Sequence, residues 1–179
     1  VGMNGWIGTS FGRVGIPIVA VEEDSAQILE KGKSLFGLNR LGIPLGEIAT
    51  APDIKTPEQG KELAEKLGMI LRSSRVKRGL GTIRQDLNVS ITKGTRVEIK
   101  GVQDLNGIPL LIEKEALRQK ELVEKGKKIE KEVRKASPDS STSFLRPLPG
   151  SARLYPETDC LPVPISRKWI ESIQKNLPE

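Results

Sequence analysis

The chain has 179 residues, with 29 Lys and Arg against 23 Asp and Glu, a formal charge of +6, and no histidine. Without His it supplies no Ser-His-Asp or Cys-His nucleophile system and no His-ligated zinc, and with Cys160 alone it forms no intrachain disulfide. A lone thiol fits a reducing cytoplasm, no apolar run is long enough for a membrane span, and at 3% aromatic the core must rest on Ile, Leu and Val.

Residues 3–21 read as two strands around a turn at Gly8–Gly12, with Val14, Ile16, Ile18 and Ala20 alternating toward a core. Glu22, Glu23 and Asp24 follow, and Asp24 is placed to cap a short helix over 25–30. Leu41–Thr50 predicts a further strand, interrupted by Pro44 and Gly46. Thr56-Pro57-Glu58-Gln59 then has the form of a capping box with proline at the first helical position. Leu63, Leu67, Ile70 and Leu71 recur at helical spacing, which predicts a helix over 57–72.

Thr82–Ile91 alternates cleanly, with Ile83, Leu87, Val89 and Ile91 on one face and Thr82, Arg84, Asp86, Asn88 and Ser90 on the other. Thr95–Gly101 also alternates, Val97 and Ile99 against Arg96, Glu98 and Lys100. A two-residue loop would oppose Asn88 to Ile99 and mix the faces. A three-residue loop, Thr92-Lys93-Gly94 with Gly94 left-handed, pairs Val89 with Val97 and Leu87 with Ile99. It also sets Asn88 opposite Glu98 and Asp86 opposite Lys100. A slip of one residue would bury the charges, so the second register is expected.

Residues 110–135 predict one long charged helix with a narrow apolar stripe of Ile112, Ala116, Val123, Ile129 and Val133. Glu121/Lys125, Glu124/Lys128 and Glu130/Arg134 stand at i,i+4 spacing, and Gly126 weakens the helix by roughly 1 kcal/mol relative to Ala. Residues 137–143 (SPDSSTS) have the composition of a flexible linker. Tyr155–Asp159 reads as an ordered, proline-stiffened acidic loop, Cys160 as a small packing residue, and Ser166 as the cap of a last helix carrying Trp169, Ile170, Ile173 and Leu177.

The polar face of the 82–101 hairpin gathers two carboxylates, Asp86 and Glu98, with Asn88 between them and Arg84 and Lys100 at the flanks. Hard cations such as Mg²⁺ take a few carboxylates plus substrate phosphates, and flanking cations balance phosphate charge. The same pattern also describes a solvated face with cross-strand ion pairs. Before the hairpin, residues 72–81 carry Lys77, Arg78, Gly79 and Gly81, a combination suited to phosphate and equally to an exposed basic loop. Glu23 and Glu47 could add metal ligands or serve as surface acids.

The strings RLGIPLGEIATAPDI (40–54), VKRGLGTIRQDLNVSI (76–91), RVEIKGVQ (96–103) and LRPLPGSARLYPETD (145–159) closely resemble the E subunit of archaeal glutamyl-tRNA(Gln) amidotransferase. They are also similar to its relative, the B subunit of the bacterial and organellar enzyme. The resemblance covers nearly all of residues 1–165. It implies an α+β fold, mostly antiparallel sheet in a cradle-like core with flanking helices. It further implies ATP- and Mg²⁺-dependent phosphorylation of the glutamyl γ-carboxylate on mischarged Glu-tRNA(Gln). Ammonia from an asparaginase-like glutaminase partner then displaces phosphate. By motif, Glu23, Glu47, Asp86 and Glu98 match the family's acidic, metal-holding positions. Asp86, Glu98, Arg84 and Lys100 are the expected catalytic group, and Lys77, Arg78, Gly79, Gly81 and Asn88 the nucleotide contacts. No histidine is obligatory in these steps, because phosphoryl transfer rests on positioning and charge neutralisation.

Asn39 and Ala51 stand where the family usually has Asp and Glu, and the family's Gly-Leu-Glu-Ile-His motif has no counterpart. The expected organisation is a core over 1–136, a linker at 137–144 in place of an inserted domain, and a continuation of the core over 145–179. A fragment of a hetero-oligomeric, cytoplasmic enzyme is therefore expected, crippled as it stands. The alternative is a non-catalytic tRNA-binding or subunit-assembly module.

Overall fold

Gly12, at φ +120°, turns the chain between β1 (Gly2–Thr9) and β2 (Gly12–Glu23), and Thr9 Oγ1 donates to Gly12 O at 2.6 Å. On its other side β2 pairs with β5 (Pro44–Ala49), giving an antiparallel sheet of order β1-β2-β5. Pro44 opens this edge strand, where its missing N–H is tolerated; the expected interruption is the strand's beginning. The computed structural model describes residues 1–30, 32–33, 35–79, 82–148, 161 and 163–177. They fall into two units, 1–148 and 149–179.

The expected buried face of β2 ends early: Val14 and Ile16 are buried, whereas Ile18 is exposed. The helix expected over 25–30 is absent. A small antiparallel ribbon stands there, β3 (Gln27–Glu30) with β4 (Leu35–Gly37). Asp24 does not cap: the backbone N–H on its carboxylate is that of the adjacent Ser25 (3.0 Å), and its own backbone closes the base of the excursion. Its N–H donates to Ile43 O at 2.9 Å, and its carbonyl accepts from Gly42 N–H at 3.2 Å.

Helix α1 (Pro57–Ser73) begins as its sequence requires. Thr56 Oγ1 accepts from Gln59 N–H, and Gln59 Oε1 accepts from Thr56 N–H at 3.2 Å. Leu63 packs with Ile7, Val14 and Ile16 of the first sheet, and the next residue, Ala64, joins the second core. At Gly60 the helix meets α2 (Ile108–Glu124) so closely that a Cβ would lie 2.8 Å from Ile112 Cδ1.

The second sheet has the order β6-β7-β8-β9 and a core of Val89, Val97, Ile99, Val102, Ile108 and Leu111. Strands β6 (Leu87–Val89) and β7 (Val97–Lys100) pair in the register their alternation demands: Leu87 with Ile99, Asn88 with Glu98, Val89 with Val97. The turn differs from expectation, since Lys93 takes the left-handed conformation (φ +66°) and Gly94 N–H closes on Ile91 O at 2.9 Å. Gly94 is needed for space instead: a Cβ there would stand 2.6 Å from Gln119 Oε1.

The long helix expected over 110–135 is two elements. Helix α2 stops at Glu124, Gly126 swings to φ +65°, and β8 (Glu132–Ala136) runs parallel to β7. Gly126 N–H donates to Val123 O (3.0 Å) and Lys127 N–H to Leu122 O (2.9 Å), the paired bonds of a Schellman terminus. The glycine ends the helix; it does not merely weaken it. Of the expected pairs, Glu121–Lys125 forms at 3.7 Å, while Lys128 meets Glu130 and Arg134 meets Glu132. Residues 137–141, expected within a linker, turn the chain into β9 (Thr142–Pro147), with Ser137 N–H on Ser141 O at 2.9 Å.

In the second unit α3 (Arg167–Lys175) starts on Ser166, whose Oγ accepts from Trp169 N–H at 3.2 Å. The acidic loop Tyr155–Asp159 and Cys160 lie outside the described residues. Among those described, three helices and antiparallel-rich sheets make the chain α+β, and no helix is long and apolar enough to cross a membrane.

Candidate functional site

The β6–β7 register brings Asp86 and Glu98 to one cation. Lys100 Nζ lies 2.5 Å from Asp86 Oδ2 and 2.7 Å from Glu98 Oε1. Asp86, immediately before β6, and Glu98 of β7 thus meet at one ammonium, and Asn88 of β6 stands opposite Glu98. Burial alone would pull the Lys100 pKa down. The hydrogen bonds to Asp86 and Glu98 outweigh it and hold the ammonium above its ordinary value. All three side chains remain accessible to solvent, so the face is open to a ligand.

Arg84 turns away from this pair. Its guanidinium donates to Asp24 Oδ2 at 3.1 Å, with Arg40 Nε 4.0 Å from the same oxygen. This contact ties the end of β2, where Glu22 and Glu23 stand, to the approach of the hairpin. Glu23 and Glu47 are not brought together: Glu23 opposes Pro44 and Glu47 opposes Ala20, so strand alternation assigns them to opposite faces of the β2–β5 ladder. Among the described residues no three His, Cys, Asp or Glu side chains are grouped to hold a metal ion. Asp86 and Glu98 have the donor chemistry for Mg²⁺, hard carboxylate oxygens, but as a pair they would need phosphate and water oxygens to complete its shell.

Of the basic segment, Arg78 folds back to donate to Arg72 O at 2.6 Å, satisfying a carbonyl at the end of α1. Lys77 is exposed, Gly79 adopts φ +140°, and Gly81 lies outside the described residues. A cavity of about 250 Å³ opens directly after Lys100, where the parallel strands β7 and β8 end and α2 begins. Gly101, Gln103, Asp104, Gly107, Ser137 and Ser140 are among its lining. The glycines on either side of the 101–107 loop were the available signal for it.

One polar group escaped the sequence reading. On the inner face of α2, Ile108 and Leu111 are followed at the same spacing by Glu115 and Gln119, both wholly buried. Arg118 clasps Glu115 through two bonds (2.9 and 2.8 Å) and reaches Glu132 at 3.1 Å. Glu132 also accepts from Arg134 (2.8 Å), and Thr142 Oγ1 lies 3.2 Å from Glu115 Oε2. Hydrogen bonding to Glu115 is the main cause that raises the Arg118 pKa further, with desolvation opposing. Gln119 Nε2 donates both to Glu115 Oε1 (3.0 Å) and to Val89 O of β6 (3.2 Å). The cluster therefore joins α2, β6, β8 and β9 behind the acid-bearing hairpin. Polar residues continuing an apolar 3–4 spacing were its sequence signature.

Residues 1–171 match the GatB/GatE catalytic domain. The chain belongs to that family. It is 56% identical over 138 residues to the E subunit of glutamyl-tRNA(Gln) amidotransferase from Thermococcus sibiricus, an overlap of 75% of this chain and 21% of that protein. The E subunit from Methanosarcina acetivorans is 58% identical over 123 residues, covering 67% of this chain and 19% of the relative. With the E subunit from Methanocaldococcus jannaschii, identity is 32% over 314 positions, which take in 98% of this chain and 50% of the relative. Because 314 positions exceed the 179 residues of the chain, at least 135 of them belong to the relative alone. The chain spans from about a fifth to half of the length of these curated relatives.

Proposed function

We propose that this chain carries the phosphoryl-transfer face of a tRNA-dependent amidotransferase, in a cradle-like core built from its two larger sheets. In this reading ATP phosphorylates the γ-carboxylate of glutamate on Glu-tRNA(Gln), and ammonia from a glutaminase partner displaces the phosphate. The observation that carries it is the convergence of Asp86 and Glu98 on Lys100, on a face whose next residues line a cavity. A Mg²⁺ ion would supply charge neutralisation on the nucleotide phosphates, with Asp86 and Glu98 as its protein ligands. Lys100, released from the carboxylates, stands ready to neutralise a phosphate oxygen, and Asn88 can orient one by hydrogen bonding. Lys77 and Gly79 precede this face in the chain and suit the distal phosphates. Arg84, held by Asp24, fixes the approach to the hairpin instead of contacting the reacting group.

Titrating the chain with ATP in the presence and absence of Mg²⁺ tests the reading. Binding that requires Mg²⁺ and is lost in both Asp86→Asn and Glu98→Gln supports it. No binding, or binding indifferent to both substitutions, overturns it. Salt-sensitive tRNA binding without nucleotide binding would assign the chain to the non-catalytic alternative.

A further inference from the structure

Strand β6 is the edge of its sheet and contributes only three ladder pairs, yet Asp86, the residue just before it, depends on it for its contact with Lys100. What holds the strand from the other side is Gln119. Its Nε2 donates to Val89 O at 3.2 Å, and its Oε1 lies against Gly94, where a Cβ would come within 2.6 Å. One buried carboxamide thus touches both the strand and the turn of the hairpin. It is itself fixed by Glu115, whose carboxylate is locked by Arg118 and Thr142. The amide holds the strand through its two Nε2 bonds, while its Oε1 is buried without a hydrogen-bond partner and meets the turn by packing alone.

We propose that Gln119 is a positioning residue for the acid pair: by pinning β6 to α2 it sets Asp86 against Lys100 and Glu98. The functional half of this inference rests on the reading of Asp86 and Glu98 as the nucleotide-handling pair. The mechanical half does not.

The test is Gln119→Met in the full chain, which keeps the volume and removes the donor. Residue-resolved amide exchange is expected to show 86–90 exchanging roughly tenfold faster, with β7 and β8 protected as before, and MgATP affinity falling by about tenfold. Unchanged protection at 86–90, or a uniform loss across the sheet, overturns the proposal, the second because it marks a merely structural role. Should Gln119→Met not fold, the native chain decides. Cross-peaks from the Gln119 side-chain amide to Val89 and Gly94 support the contact, and their absence overturns it. A native chain that binds no MgATP defeats the nucleotide reading alone, and amide exchange still decides the positioning.

Discussion

Arg118 grips Glu115 one turn back along α2 with two parallel bonds, and the carboxylate it holds is entirely shut off from water. A buried charge is tolerable only while its partners remain, so deletion of one side leaves the other uncompensated. Arg118→Ala, which strands the buried Glu115 carboxylate, is expected to cost about 3–5 kcal/mol in urea unfolding, read as a lower midpoint at constant slope. Glu115→Ala is expected to cost less, because Arg118 is partly exposed and keeps Glu132. The two losses will not add. Removing both partners should cost clearly less than the sum, because the second deletion removes the charge that the first had stranded.

Lys100 occupies the position between two carboxylates that a divalent ion would contest. Lys100→Met removes the resident charge and leaves Asp86 and Glu98 repelling one another across the hairpin. The variant is expected to bind Mn²⁺ more tightly than the native chain, with paramagnetic broadening centred on residues 86 and 98. Broadening centred elsewhere would show that these carboxylates are not the metal-seeking pair. Because the site is open to solvent, the change in stability should be small.

Gly126 reverses the sign of a substitution. As a helix-interior glycine it would gain from replacement by alanine. As the left-handed residue at the terminus of α2, at φ +65°, it should lose, even though nothing stands within 4 Å of an added Cβ. The penalty is one of backbone conformation, about 1 kcal/mol, and Gly126→Asn should lose less than Gly126→Ala. Thermal unfolding of the two variants separates the readings directly.

These cases show which parts of the molecule its sequence exposes. The capping box at Thr56–Gln59 and the β6–β7 register were legible because each is decided within a few residues, by a side-chain donor or by alternation. From that register the convergence of Asp86 and Glu98 follows. Gly126 was misread because its neighbours, rich in Lys and Glu, favour helix on either side. Only the parallel pairing of β8 with β7 makes the break worthwhile. The Asp24–Arg84 contact joins residues 60 apart in the chain, and beyond its neighbours on α2 Glu115 also meets Thr142 of β9 and, at 3.8 Å, Arg134 of β8. No local pattern encodes such meetings.

The β1–β2 turn is fastened to α1 by the Glu62 carboxylate, beside Lys66 Nζ on Gly8 O at 3.0 Å, and the carboxylate's share should be visible in the pH dependence of stability. Glu62 accepts from the Ser10 hydroxyl at 2.5 Å and from the Ser10 N–H at 2.6 Å, with Lys66 Nζ at 3.3 Å. The hydroxyl bond first, and the backbone bond next, hold its pKa below the ordinary value. A carboxylate with a depressed folded-state pKa lends stability above its unfolded value, and that stability disappears as the pH falls through the folded one. Ser10→Ala removes the larger cause. It should therefore be less stable than the native chain at neutral pH and converge with it in acid, once Glu62 is protonated in both. Chemical unfolding at a series of pH values checks this. A gap between the two proteins that persists unchanged into strong acid would show that Ser10 acts through the turn and not through Glu62.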